Sequence, residues 1–278
     1  MKSITLASAA VLSLTLAGCG HSEIDTVKAA TVPQDSTHTY GTTLSNRASC
    51  VTDSWRTFKD DTNRTVVEYR CELKNGAALL AALRQQKIID TQHDFQGYFN
   101  GLDQTTERAS HEPEAAEKEL ADARDTLAQL QSQADAAKSN AAASGDPRAL
   151  RQAMVNQDDV AAAQRAVEQA QQHLDDAKRT LASLPQDRAR LEQQEKVALA
   201  QIDNTYGGIT QAREVFQWFV RDTEVVPAWA GVELTRQDGN TARQDRNWRQ
   251  TMWDLLNRRG DDHVRAVLNV PDNIASGQ

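Results

Sequence analysis

Ser139-Asn-Ala-Ala-Ala-Ser-Gly-Asp-Pro147 combines glycine with proline inside a long stretch of helical pattern, and its reading decides the fold. Asp146 suits a helix N-cap and Pro147 the first helical position, so one helix ends and another starts there. On its N-terminal side, Ile88, Gln92, Phe95, Phe99, Leu102, Thr106 and Ala109, then Leu120, Ala123, Leu127, Leu130, Ala134 and Ala137, recur at alternating spacings of four and three. The same alternation follows the turn in Val160, Ala163, Val167, Ala170, Leu174, Ala177, Leu181 and Leu184. A further run passes through Leu191, Glu195, Ala198, Ile202, Thr205, Ile209, Ala212, Phe216 and Phe219. Sustained heptads with alanine at many seam positions predict coiled-coil packing. Folding back at 139–147 brings Leu120 near Val167 and Leu127 near Val160, which predicts a long antiparallel coiled-coil hairpin over 77–222. Arms of about sixty residues at about 1.5 Å each would run roughly 90 Å. Pro113 and Pro185 offer kinks, or break points for a shorter four-helix bundle, but an alanine seam buries too little surface for a thick core.

The flanking segments differ in character. Cys50-Val-Thr-Asp-Ser-Trp-Arg-Thr-Phe58, the turn residues Lys59 to Asn63, and Thr65-Val-Val-Glu-Tyr-Arg-Cys-Glu-Leu73 predict a β-hairpin within 46–76. A turn centred on Asp60 and Asp61 would set Cys50 opposite Cys71. After Asp222, Val225 to Leu234 reads as a strand, Asp238-Gly-Asn240 as a turn, Asn247 to Arg258 as an amphipathic helix, and Val264 to Val270 as a last strand or helix. Neither 46–76 nor 223–278 buries a sufficient core alone. Both are therefore expected to form one small α+β head, with the helical region inserted between them and the fold mainly α. Residues 19–45, small and polar with few large apolar side chains, read as a flexible tether with a reach of about 25 to 30 Å.

The N-terminus carries the address. Lys2 precedes an apolar stretch from Ile4 to Leu16, too short to span a bilayer, and Leu16-Ala-Gly-Cys19 follows it. This run resembles the lipobox of bacterial lipoproteins. The resemblance implies a signal peptide over 1–18, cleavage before Cys19, and palmitate-type acyl chains on Cys19 as the membrane anchor. Each buried methylene contributes about 0.8 kcal/mol, so several chains hold effectively permanently. Gly20, where aspartate retains Gram-negative lipoproteins in the inner membrane, implies the outer membrane, facing the periplasm. With Cys19 acylated, Cys50 and Cys71 remain as a pair in an oxidising compartment and are expected to form a disulfide.

The rest of the sequence argues against catalysis. A net charge of −8 argues against a nucleic-acid partner, which needs a clustered basic face, and Arg243 to Arg265 is the one basic patch of note. His21, His38, His93, His111, His173 and His263 are scattered without metal-ligand spacing, so no metal or other cofactor is expected. Asp60-Asp61, Asp158-Asp159, Asp175-Asp176 and Asp261-Asp262 read as turn, helix-face and capping residues, Gly207-Gly208 as a hinge or close-packing point, and no Gly-x-Ser-x-Gly elbow occurs. Arg243 to Arg265, with Trp248 and Trp253, either lies against anionic headgroups or packs its apolar face on the head. The reading is a non-enzymatic envelope lipoprotein whose coiled coil binds a protein partner or self-associates. The alternatives are an adaptor of an envelope transport or secretion complex, or an envelope enzyme or its accessory subunit.

Overall fold

The computed structural model describes residues 22–274; the expected signal peptide and Cys19 lie outside them. The fold is mainly helical, with two antiparallel sheets and a Cys50–Cys71 disulfide. In chain order the elements are α1 (Glu23–Ala29), β1 (Thr31–Val32), β2 (Asp35–Thr39), α2 (Tyr40–Leu44), β3 (Cys50–Lys59), β4 (Thr65–Leu73), α3 (Gly76–Ser144), α4 (Pro147–Tyr206), β5 (Ile209–Arg221), β6 (Glu224–Arg236), β7 (Thr241–Asp245), α5 (Trp248–Asn257) and α6 (Gly260–Leu268). The described residues divide into two compact units, 22–84 with 206–274, and Gln85–Thr205.

The second unit is the hairpin. Helices α3 and α4, of 69 and 60 residues, pack together. Within this unit the buried residues fall at heptad spacing: Ala109, Ala116, Leu120 and Ala141 on α3, and Ala163, Ala170, Leu174, Ala177 and Leu184 on α4. Small side chains let the two backbones approach closely, and Leu120 and Leu174 close a local cluster with Ala116 and Ala170. Ion pairs between the arms fix the register: Lys178–Glu117 at 2.9 Å and Arg188–Asp103 at 2.6 Å. Pro113 and Pro185 both lie inside continuous helices, so neither divides the region into the shorter four-helix alternative.

The first unit is built on a five-stranded antiparallel sheet in the order β3-β4-β5-β6-β7. Strands β4 and β5 are neighbours, and the whole helical hairpin lies in the connection between them. One sheet face is apolar: Val67, Tyr69 and Cys71 alternate inward on β4, as do Ala212, Phe216 and Trp218 on β5 and Ala230, Val232 and Leu234 on β6. They pack with Met252 and Leu255 of α5, Val264, Val267 and Leu268 of α6, and the first turns of α3. The opposite face holds charge. Buried Glu68 pairs with Arg56 and Arg70, each at 2.5 Å, and Glu233 pairs with Arg70 at 3.1 Å and Arg243 at 2.7 Å. Gly231 is needed on that face, because a Cβ there would meet the Trp229 ring and the Gln244 carbonyl at 2.4 Å.

Three expectations require correction, and one alternative is resolved. The helical reading to 222 fails at its end: α4 stops at Tyr206, Gly208 takes φ +66°, and Ile209 to Arg221 form β5. Residues 212, 216 and 219 fit a helical spacing, but the aromatic and branched residues between 215 and 220 are better satisfied by pairing on both edges with β4 and β6. The tether expected at 19–45 is structured from residue 22 onward. Val27, Val32, Tyr40 and Leu44 enter the core, Ser22 caps α1, and Thr39 and Thr42 form a capping box on α2. The β-turn sits later than Asp60-Asp61, so Asp53 rather than Cys50 stands opposite Cys71; Cys50 pairs with Leu73 across a register shift before Thr52. Residues 264–270, left between strand and helix, belong mainly to α6, which ends on Asn269 in the left-handed region at φ 53°.

Candidate functional site

The end of the hairpin at its turn is built from the sequence signals that define it. Gly145 takes φ +64° after α3, and Asp146 accepts a hydrogen bond from the Arg148 N–H at 2.9 Å as α4 starts on Pro147. Near the turn the facing residues are small: Ala134, Ala137, Ala149 and Ala153 are half-buried and Ala141 is buried. The larger apolar residues point away from this seam. Leu150, Met154 and Val155 are 53%, 67% and 53% exposed, and Leu150 and Met154 share one helix face at a spacing of four. Exposed Arg148 and Arg151 flank them.

The disulfide joins Cys50 and Cys71 at a Cα–Cα separation of 5.4 Å, and Cys71 is fully buried. Beside it the Tyr69 hydroxyl donates to the Leu44 carbonyl at 2.7 Å, and burial raises the pKa of that phenol. The disulfide thus ties edge strand β3 to β4, and the Tyr69 hydrogen bond holds α2 against the same strand.

The histidines remain dispersed. His173 on α4 bonds Glu119 on α3 at 2.9 Å, and that bond, chiefly, raises its pKa. His38 pairs with Asp35 on β2. Among the described residues no cluster of His, Cys, Asp and Glu is arranged to hold a metal ion. Among them, too, no helix is long and apolar enough to cross a membrane. The two tryptophans of α5 separate. Trp248 packs among Tyr40, Phe216 and Trp218, whereas Trp253 is 49% exposed. The apolar face of α5 therefore serves the sheet through Met252 and Leu255.

One group of side chains has no counterpart in the sequence reading. Glu214 on β5 is fully buried against the core, where Arg47 Nη2 meets its Oε2 at 2.6 Å and His263 Nε2 lies 3.2 Å from the same oxygen. Arg47 Nη2 also lies 2.5 Å from His263 Nε2. Burial alone would raise the Glu214 pKa, but the charges of Arg47 and His263 and their hydrogen bonds outweigh it and hold the carboxyl down, at about 2. Arg47 Nη1, His263 Nδ1 and Glu214 Oε1 are buried without a hydrogen-bond partner. These three residues come from positions 47, 214 and 263, so no local spacing signals them.

Comparison with known protein families, curated proteins and solved structures returns no match for this chain.

Proposed function

We propose that this chain is a membrane-anchored lipoprotein of the bacterial cell envelope, and that its helical hairpin is an antiparallel coiled coil acting in protein contact rather than catalysis. The observation that carries the contact role is the exposed apolar pair Leu150 and Met154 on one helix face, with exposed Val155 beside it, left outside the seam near the turn. An apolar helix face of this kind is the usual donor in helix-to-groove recognition, and rigid arms present it at low entropic cost. The partner is a protein or a second copy of the chain, not nucleic acid, in keeping with the net charge of −8. Leu16-Ala-Gly-Cys19 supports the anchor, which on the resemblance to lipoproteins places acyl chains on Cys19 at the outer membrane, facing the periplasm.

The two halves of the reading are tested separately. Cys19→Ala should release the protein from membrane fractions and abolish palmitate labelling; retention in washed outer membranes would refute the lipid anchor. Leu150→Ser with Met154→Ser should abolish partner co-purification without altering helical content. Unchanged co-purification would refute the contact role.

A further inference from the structure

We propose that the sheet-containing unit carries a groove for the carboxyl-terminal end of a short peptide, with the carboxylate at Arg259 and the adjoining side chains against Trp253 and Leu256. This inference is independent of the hairpin and its contacts.

Two neighbouring cavities of about 260 and 420 Å³ share Thr42, Thr43 and Arg259 in their walls. The smaller is lined by three arginines, Arg47, Arg258 and Arg259, together with His263, and by no carboxylate. Such a concentration stands out in a chain of net charge −8. Arg47 and His263 are nearly fully buried there, and each keeps one nitrogen without a protein partner.

The charge balance selects the ligand. Arg47 is matched by Glu214, and Arg258 by Asp254 at 3.0 Å. Arg259 is exposed and has no ion pair among the described residues. Arg259 is therefore the arginine of this group left without a counter-charge, and it matches a single carboxylate. Asp261 and Asp262, in the first turn of α6 and outside both cavity walls, add a negative field that disfavours a phosphate dianion. The larger cavity supplies the second half. Trp253 and Leu256 line it, and Trp253 is about half exposed while its helix neighbours Met252 and Leu255 are buried in the core. Exposed tryptophan beside a charged recess is a common anchor for a peptide side chain. The Asp35–His38 pair, also in that wall, offers no free cation for a second carboxylate.

The test is isothermal titration of the full-length protein in detergent with acetyl-Ala-Ala-Leu, the same peptide as its carboxamide, acetate and inorganic phosphate. The free acid should saturate one site, and the carboxamide should bind at least about tenfold more weakly, since a charge-assisted contact is lost. Acetate, lacking the apolar arm, should bind more weakly than the peptide. Arg259→Gln should weaken the peptide about tenfold and Trp253→Ala severalfold, whereas Arg221→Gln, remote from both cavities, should not change it. Arg259 and Trp253 are solvent-exposed, so the variants are expected to fold; unaltered unfolding midpoints check this. Equal binding of acid and carboxamide, of peptide and acetate, or of peptide and phosphate would overturn the proposal. So would a folded Arg259→Gln that binds like the wild type, or no saturable binding at all.

Discussion

Replacing Arg47 by methionine should destabilise the sheet-containing unit by about 3 to 5 kcal/mol at neutral pH, because it strands the Glu214 carboxylate in the core with His263 as its remaining polar contact among the described residues. The magnitude follows from the carboxyl itself. Its pKa falls from an ordinary 4.5 to about 2 in the folded protein, and at about 1.4 kcal/mol per tenfold change that depression corresponds to about 3 kcal/mol. A depressed carboxyl stabilises the fold above its unfolded pKa, and the contribution is lost as pH falls from about 4.5 toward 2. Without Arg47 burial dominates and the folded carboxyl binds its proton more readily. The penalty of Arg47→Met should therefore shrink on acidification. All five tryptophans, at 55, 218, 229, 248 and 253, lie in this unit, so tryptophan fluorescence during urea unfolding reports on it, while most of the far-UV signal comes from the helices. Arg47→Met, Glu214→Gln and the double variant complete a cycle in which the double should cost clearly less than the sum of the singles. Additive costs, or a penalty independent of pH between 7 and 4, would refute the reasoning.

Other perturbations follow from the same packing. Cys50→Ala with Cys71→Ala opens a link of sequence separation 21, which should cost about 3 kcal/mol in tryptophan-monitored unfolding, and free-thiol titration of the oxidised wild type should find neither cysteine of this pair. Leu174→Ala, in the cluster with Ala116, Leu120 and Ala170, should cost about 2 to 3 kcal/mol in helix-monitored unfolding and leave the tryptophan transition in place. Gly145→Ala, at φ +64°, should cost about 1 kcal/mol at the turn without changing the register of the arms, as judged by helical content.

The hairpin was legible because period and punctuation agreed. Heptad spacing persisted on both sides of 139–147, and Asp146-Pro147 is a local signal that long-range packing had no reason to override. Period alone hides β5. Ile209, Ala212, Phe216 and Phe219 continue the spacing of α4, yet Gly207-Gly208 interrupts the chain just before them, and Val215, Phe216, Trp218, Phe219 and Val220 carry strand chemistry. The N-terminal elements escaped because Val27, Val32, Tyr40 and Leu44 are sparse in a polar background; they order only by docking on a core supplied by distant strands. Cysteine pairing does not depend on the exact turn position, since a disulfide needs proximity rather than direct opposition. The Arg47, Glu214 and His263 group was invisible for a related reason. Once residue 214 is placed on a helix, nothing brings it to residues 47 and 263; its inward position appears only with the β4-β5-β6 register.

The contact role of the hairpin is tested most directly by a photoreactive amino acid placed at position 154 in living cells, compared with one at the exposed mid-arm position Asp122. The account predicts one discrete adduct from position 154, absent from position 122 and lost when Leu150 is changed to serine. No adduct at position 154, or the same products from both positions, would contradict it.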